Sequence, residues 1–323
     1  MAARSFPMVF VSTAVPSWVS ALPGLFVLAL LVGSLNPWYR AWRWADGTAL
    51  RGALVWAVLA LSCGILAQIV ALFELRENGK PVCGVLTYVM TLAALAGLIS
   101  VLNARVPGGG AWAVLMVLLL VVFCIPLLES AGRVRGVAGA VVVVLDSPWT
   151  IFYGLLVLMG VTNFLPTRYG PAAVVLGIGF ALEYLVLTRT EWPAGWRAQL
   201  WTVIAGCLAV AVRLCRHCAQ KEIQGRDRLE CQWIWFRDHW GVVWGLRIQD
   251  RFNRTAASSQ WPIRLSWFGL TWVNGNSSVR EERVPDVAEA TFRGLIRRFV
   301  DSERLDRALA EASRSGACQG QGR

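Results

Sequence analysis

Seven apolar stretches, each near the length of a bilayer-crossing helix, fill most of the first 214 residues and leave this chain little choice of class. About 20 largely uncharged residues in helical form cross the hydrocarbon core, where no water satisfies the backbone. The stretches run over residues 19–35, 50–73, 82–102, 112–128, 149–165, 171–187 and 198–214. Composition agrees, with 56% hydrophobic and only 16% charged side chains, far from ordinary soluble usage. The expected fold is an α-helical polytopic membrane protein of about seven transmembrane helices with a small C-terminal α+β soluble domain.

Residues 1–18 lack an apolar run followed by a small-residue cleavage site, so they read as a leader before an uncleaved first helix. One stretch is ambiguous. Residues 136–145 are too short to cross and run into Asp146-Ser147-Pro148. A span starting at Trp149 avoids burying Asp146 and leaves Pro148 where a helix start tolerates it. A packed or re-entrant piece at 136–145, or a longer crossing that carries Asp146, stays open.

The segment after the first stretch, WYRAWRWADG, interleaves Trp38, Tyr39, Trp42 and Trp44 with Arg40 and Arg43, the pattern of a membrane-interface loop. Trp192 and Trp196 mark a second such loop. Trp233, Trp240 and Trp244, just past the last stretch, complete the set of candidate interface anchors. Near the ends of the spans, ten Lys and Arg fall on one side and seven on the other. The basic run from Arg213 to Arg228 decides the orientation and places the C-terminus in the cytoplasm. Arg outnumbers Lys 29 to 2, a bias that a GC-rich bacterial genome produces without functional selection. The expected setting is therefore the bacterial cytoplasmic membrane.

Residues 215–231 read as a basic juxtamembrane linker, 232–312 as a β-α-β-α domain and 313–323 as a disordered tail. In the domain, the run WIWF is taken as the first strand. Trp240, Trp244, Ile248, Phe252 and Ala256 recur every four residues, the stripe of an amphipathic helix. Ile263, Leu265 and Trp267 alternate with Arg264 and Ser266, which is strand periodicity, and Gly269 signals a bulge or turn before a second run. Asn274-Gly275-Asn276 is a turn signal. From Pro285 one helix is expected, with Phe292, Leu295, Ile296 and Phe299 on one side and the i,i+4 pairs Glu289–Arg293 and Glu303–Arg307.

Few residues point to chemistry. Glu183 lies inside a span on a stripe with Ala172, Leu176 and Gly179, and an intramembrane acid is a functional candidate by default. With Asn163, in the polar connection VTNFLPTRYGP, and Gln68 it forms a candidate intramembrane polar site; a capped turn at 162–168 and an interhelical amide at Gln68 explain the same residues structurally. Cys215, Cys218, Cys231 and His239 are the only set that could approach a zinc site, at spacings that match no common finger. His239 beside Asp238 and Arg237 lacks any nucleophile context. No cofactor is expected, since no phosphate loop or dinucleotide fingerprint occurs.

The Arg-rich helix near the C-terminus carries interspersed acids, which suits a solvated face or anionic lipid headgroups better than nucleic acid. Three functions follow as expectations. The first is a non-enzymatic component or scaffold of a membrane assembly that meets a protein partner through its C-terminal domain. The second is a transporter or permease centred on Glu183. The third is a membrane-embedded enzyme with His239, Asp238 and Arg237 in a cleft beside the lipid bilayer.

Overall fold

A computed structural model describes residues 17–74, 82–103, 110–134, 145, 147–189, 194–220, 227–273 and 285–314. Asp146, Trp192, most of 136–145 and the Asn274–Asn276 turn lie outside them. The helices stand where the apolar stretches lie: α1 (Ser17–Gly33), α2 (Leu35–Trp44), α3 (Arg51–Glu74), α4 (Val82–Ser100), α5 (Gly110–Val134), α6 (Ser147–Thr162), α7 (Gly170–Thr188) and α8 (Ala194–Gln220). Among the described residues five segments are long and apolar enough to cross a membrane: Ala21–Trp44, Arg51–Phe73, Val82–Ser100, Gly170–Thr188 and Gln199–Ala219. Val117–Glu129 and Ser147–Thr162 are shorter apolar helices. This is the make-up of an integral membrane protein, and the outer faces agree with it. Phe26, Phe73, Ile151, Leu155 and Ile178 point outward, as lipid-facing residues do.

α4 forms the centre of the bundle, with twelve buried residues. Small side chains let its neighbours approach. A Cβ on Gly97 would sit 3.4 Å from the Ala53 carbonyl of α3, and one on Gly179 of α7 would sit 3.0 Å from Cys207 Cβ of α8. Leu31, Leu61, Tyr88, Met90, Phe123, Tyr153 and Phe180 fill the core between them. The stretch expected as a loop, WYRAWRWADG, is helical as far as Trp44, because α2 follows α1 after a break at Ser34, whose hydroxyl returns to Leu30 O at 2.8 Å.

The C-terminal part differs from the expected β-α-β-α order. WIWF is not a strand: it belongs to α9 (Arg228–Ser258), a helix of 31 residues. A four-residue apolar run has no period of its own, and here Trp233, Trp235 and Phe236 are all buried. β1 (Ile263–Ser266) and β2 (Gly269–Trp272) form a tight antiparallel hairpin with Ile263 opposite Trp272 and Leu265 opposite Leu270. Gly269 takes φ 148°, and its lack of a Cβ leaves room for the Glu230 carboxylate. Asn253 of α9 acts as a third strand for one residue, accepting from Leu265 N at 2.8 Å and donating to Leu265 O at 2.9 Å.

The single helix expected from Pro285 is two, α10 (Asp286–Ile296) and α11 (Ser302–Arg314). Between them Val300 bridges to Thr48, and Phe299 O accepts from Ala49 N at 3.0 Å, so a tertiary pairing interrupts the helix. Glu289 and Arg293 are paired at 3.1 Å; Arg307 instead donates to the Glu303 carbonyl. A second apolar core gathers Trp233, Trp240, Trp244, Phe252, Phe292 and Phe299, and it is completed by Leu50 and Val101 from the end of the helix bundle.

Candidate functional site at the junction of bundle and C-terminal unit

The connection between α6 and α7, residues 163–169, is where chemistry-bearing side chains meet. It is a tight turn. Thr167 Oγ1 donates to Phe164 O at 2.7 Å and accepts from Tyr169 N at 3.2 Å. Gly170 is needed there because a Cβ would strike the Leu165 carbonyl.

Asn163 leads the turn and enters a break in α9. Gly241 stands at φ 73°, ψ −166°, so the helix stops and restarts after it. A restarted helix exposes N–H groups without intrahelical acceptors. Asn163 supplies them from another part of the chain: Val242 N donates to Asn163 O at 2.9 Å and Val243 N to Asn163 Oδ1 at 3.1 Å, while Asn163 Nδ2 reaches Trp240 O at 3.5 Å. The residue thus caps the second half of α9 as an N-cap side chain would.

Asp238 is wholly buried one turn before that break. Arg237 donates to Asp238 Oδ1 through Nε (3.0 Å) and Nη2 (2.8 Å), and Arg168 Nε stands 3.2 Å from Oδ2. Arg237 also donates to Trp267 O and lies over the Trp267 ring, whose indole N–H reaches Pro166 O at 2.9 Å. The hairpin, α9 and the turn are therefore one polar knot, in which each charge has an opposite.

His239 stacks on Trp44 of α2, with centroids 4.7 Å apart, and is edged by Tyr169. Its Nδ1 is 2.7 Å from the Trp235 carbonyl, which can only accept, so Nδ1 carries the hydrogen and Nε2 faces the Tyr169 hydroxyl at 3.5 Å as acceptor. Burial, with Arg168 and Arg304 nearby, lowers the His239 pKa to about 3. Burial likewise pushes the Tyr169 phenol up to about 12, partly offset by Arg168. Both groups keep one protonation state across the physiological range, which suits packing better than proton transfer. Arg304 of α11 also lies over Trp44, its Cζ 5.0 Å from the ring centroid.

The polar residues proposed as one intramembrane site are not brought together. Asn163 is in this junction; Glu183 lies thirteen residues along α7 from Gly170, about 20 Å by helical rise. Gln68 is enclosed in α3 facing Gly24 of α1, with its amide lacking a hydrogen-bond partner. Glu183 is fully buried beside Tyr88 and Tyr153. Among the described residues no three His, Cys, Asp or Glu converge as a metal site: Cys215 is exposed on α8, whereas Cys218 and Cys231 are buried.

Of the candidate anchors, Trp233 and Trp240 are wholly enclosed by the second core and Trp244 donates to the Val101 and Leu102 carbonyls, so protein rather than lipid surrounds them. Trp38, Trp42 and Trp44 are half-buried on α2 and Trp196 is exposed on α8. Sequence reasoning passed over Gly241 and the roles of Arg168 and Tyr169, and it read Arg304 as part of a solvated or lipid-facing helix although it is buried against Trp44. Only Gly241 left a signal, a glycine inside a period-four stripe. The chain matches no family model, and no curated protein and no solved structure is similar to it.

Proposed function

We propose that this chain is a non-enzymatic structural component of a membrane assembly, with its C-terminal unit fixed to the cytoplasmic end of a seven-crossing bundle and offering a binding face to a protein partner. The observation that carries this reading is the fate of the reactive side chains at the junction. Asn163, Arg237, Asp238 and His239 are all engaged in contacts at the seam between the unit and the bundle, which favours a structural role for these four side chains.

For the seven crossings the support is the packing of α5 and α6 against α4; the C-terminal unit sits at one end of the bundle. It meets the start of α3 through Leu50, the end of α4 through Val101, and the turn between α6 and α7 through Asn163 and Pro166. Those contacts put the three points at one end of the bundle, which agrees with α5 and α6 both crossing and equally with neither crossing. Both lie along α4: Tyr88 donates to Phe123 O at 2.9 Å, and Phe123 stacks on Phe152. A protease recognition sequence inserted between Ala138 and Gly139 tests this. Cleavage is expected only from the membrane face opposite the C-terminus. Cleavage from the C-terminal face would reduce the crossings to five.

The partner face is argued from charge. Arg297 and Arg298 are exposed where α10 gives way to α11, outside the knot that holds the unit in place. The full chain, purified from its native membrane in mild detergent, is expected to retain one protein in fixed ratio. Substituting both Arg297→Glu and Arg298→Glu releases that protein without changing the melting temperature. A chain that retains nothing in fixed ratio, or that alone carries a solute across liposome membranes, sinks the structural reading.

A further inference from the structure

We propose that the tip of the β1–β2 hairpin is a membrane anchor, with Phe268 seated in the headgroup layer of the bilayer that the chain itself occupies. Phe268 is 85% exposed, more than any other large hydrophobic side chain among the described residues. Its position makes that exposure unusual. Ser266 pairs with Gly269, so Trp267 and Phe268 are the whole turn, where Asn, Asp and Gly are the customary residues. A phenyl ring there serves neither the turn nor the core. The turn is also firmly closed, since Ser266 Oγ donates to Gly269 O at 2.8 Å.

Trp267 fixes where that ring stands. Its indole N–H donates to Pro166 O at 2.9 Å, Arg237 lies over its face, and it packs so closely on Gly245 that a Cβ there would sit 2.9 Å from Cζ3. Pro166 comes four residues before Gly170, the first residue of a segment long and apolar enough to cross. The tip is therefore tied to the membrane end of α7, where the headgroup layer extends about 5–7 Å beyond the hydrocarbon. Adjacent Cα atoms are about 3.8 Å apart, so Phe268 stays at that level. Its surroundings are apolar too. Each residue that grips Trp267 has an exposed apolar neighbour in the chain, Leu165 beside Pro166 and Leu246 beside Gly245. Leu165 in turn continues the outward row of Leu155 and Leu158 on α6. A patch continuous with lipid-facing side chains is covered by the same lipid. The acid at the hairpin, Glu230, is turned to its backbone and accepts from Leu270 N at 3.3 Å, while the exposed charge on β1 is Arg264, a sign that suits phosphate headgroups. Trp233, Trp240 and Trp244 are surrounded by protein, so Phe268 supplies the seat on lipid that they do not. The inference goes beyond the structural reading above and holds for either orientation of the chain.

The test replaces Phe268 of the full chain by the photoreactive p-benzoylphenylalanine, which keeps an aromatic ring at a position that touches little protein. The chain is placed in liposomes of phosphatidylethanolamine and phosphatidylglycerol and irradiated. The excited benzophenone carbonyl takes the hydrogen of a neighbouring C–H bond and joins its carbon, so the adduct weighs the chain plus one lipid. Lipid adducts are expected several-fold more often from position 268 than from the same residue at Ser258, which is exposed at the far end of α9, about 24 Å by helical rise from Val242. Equal yields from the two positions overturn the proposal. So does a protein adduct in place of the lipid one when native membranes are irradiated, which would make the tip a protein contact.

Discussion

Gly241→Ala is expected to destabilise the junction by about 4 kcal/mol, the sum of backbone strain and of two buried donors losing their acceptor. At φ 73°, ψ −166° the backbone lies where residues with a Cβ are strained, and the added Cβ would meet the Asn163 side chain and carbonyl. Asn163 must withdraw, leaving Val242 N and Val243 N unpaired at the start of the second half of α9. The measurement is thermal unfolding of the full chain in detergent, with a fall on the order of 10 °C. Asn163→Ala removes the side-chain part of the same clamp, the bonds to Val243 N and Trp240 O, and leaves the Asn163 carbonyl that accepts from Val242 N. Because both substitutions break one interaction, the double variant is expected to fall hardly further than the worse single one. Additive losses would show that Gly241 and Asn163 act separately.

The clamp explains how a membrane bundle and a polar unit become one body. Trp240 and Trp244 straddle the break, so it re-aims the helix without taking the apolar stripe out of the core: Trp240, Trp244, Ile248, Phe252 and Ala256 are all buried. Leu50 and Val101 close that core from the bundle side. A unit this small has limited apolar area of its own. Its stability therefore rests partly on residues far back in the chain, and the turn at 163–169 is the polar part of the same seal.

What could be read from the sequence is what repeats locally. The period-four stripe of α9 and the alternation at Ile263–Leu265 were legible because each buried face is set by spacing within one element. The Glu183 stripe was legible in the same way, since Ala172 and Gly179 are buried with it. Features fixed by distant partners were not. WIWF looks like a strand until Trp233, Trp235 and Phe236 are seen to be enclosed on every side of a helix. The run from Pro285 looks like one helix until Val300 pairs with Thr48. Asp238 beside His239 suggests acid–base chemistry only while Arg168, 70 residues earlier, is left out. Adjacent side chains on a helix diverge, and here each meets different neighbours: Asp238 the two guanidiniums, His239 the face of Trp44.

Asp238→Asn is the sharper test of the knot, since it keeps the shape and removes only the charge. With Arg237 and Asp238 buried and Arg168 only partly exposed, two guanidiniums lose the group that compensates them, and a cost of about 3–5 kcal/mol is expected. The two arginines should not be equivalent. Arg237 contributes two hydrogen bonds to the carboxylate, one to Trp267 O and the ring contact, whereas the Arg168 side chain meets the carboxylate as an ion pair at Oδ2 from a more exposed position and lies over the Tyr169 ring. Arg237→Gln is therefore expected to lose more than Arg168→Gln, whose cost should stay near ~1–2 kcal/mol because Asp238 keeps its closer partner. Combining Asp238→Asn with Arg168→Gln should recover part of the loss, because one uncompensated charge is gone. Salt should change these values little, since the carboxylate is shielded from solvent ions. A melting temperature for Asp238→Asn equal to that of the unaltered chain would mean that the junction is held by packing alone.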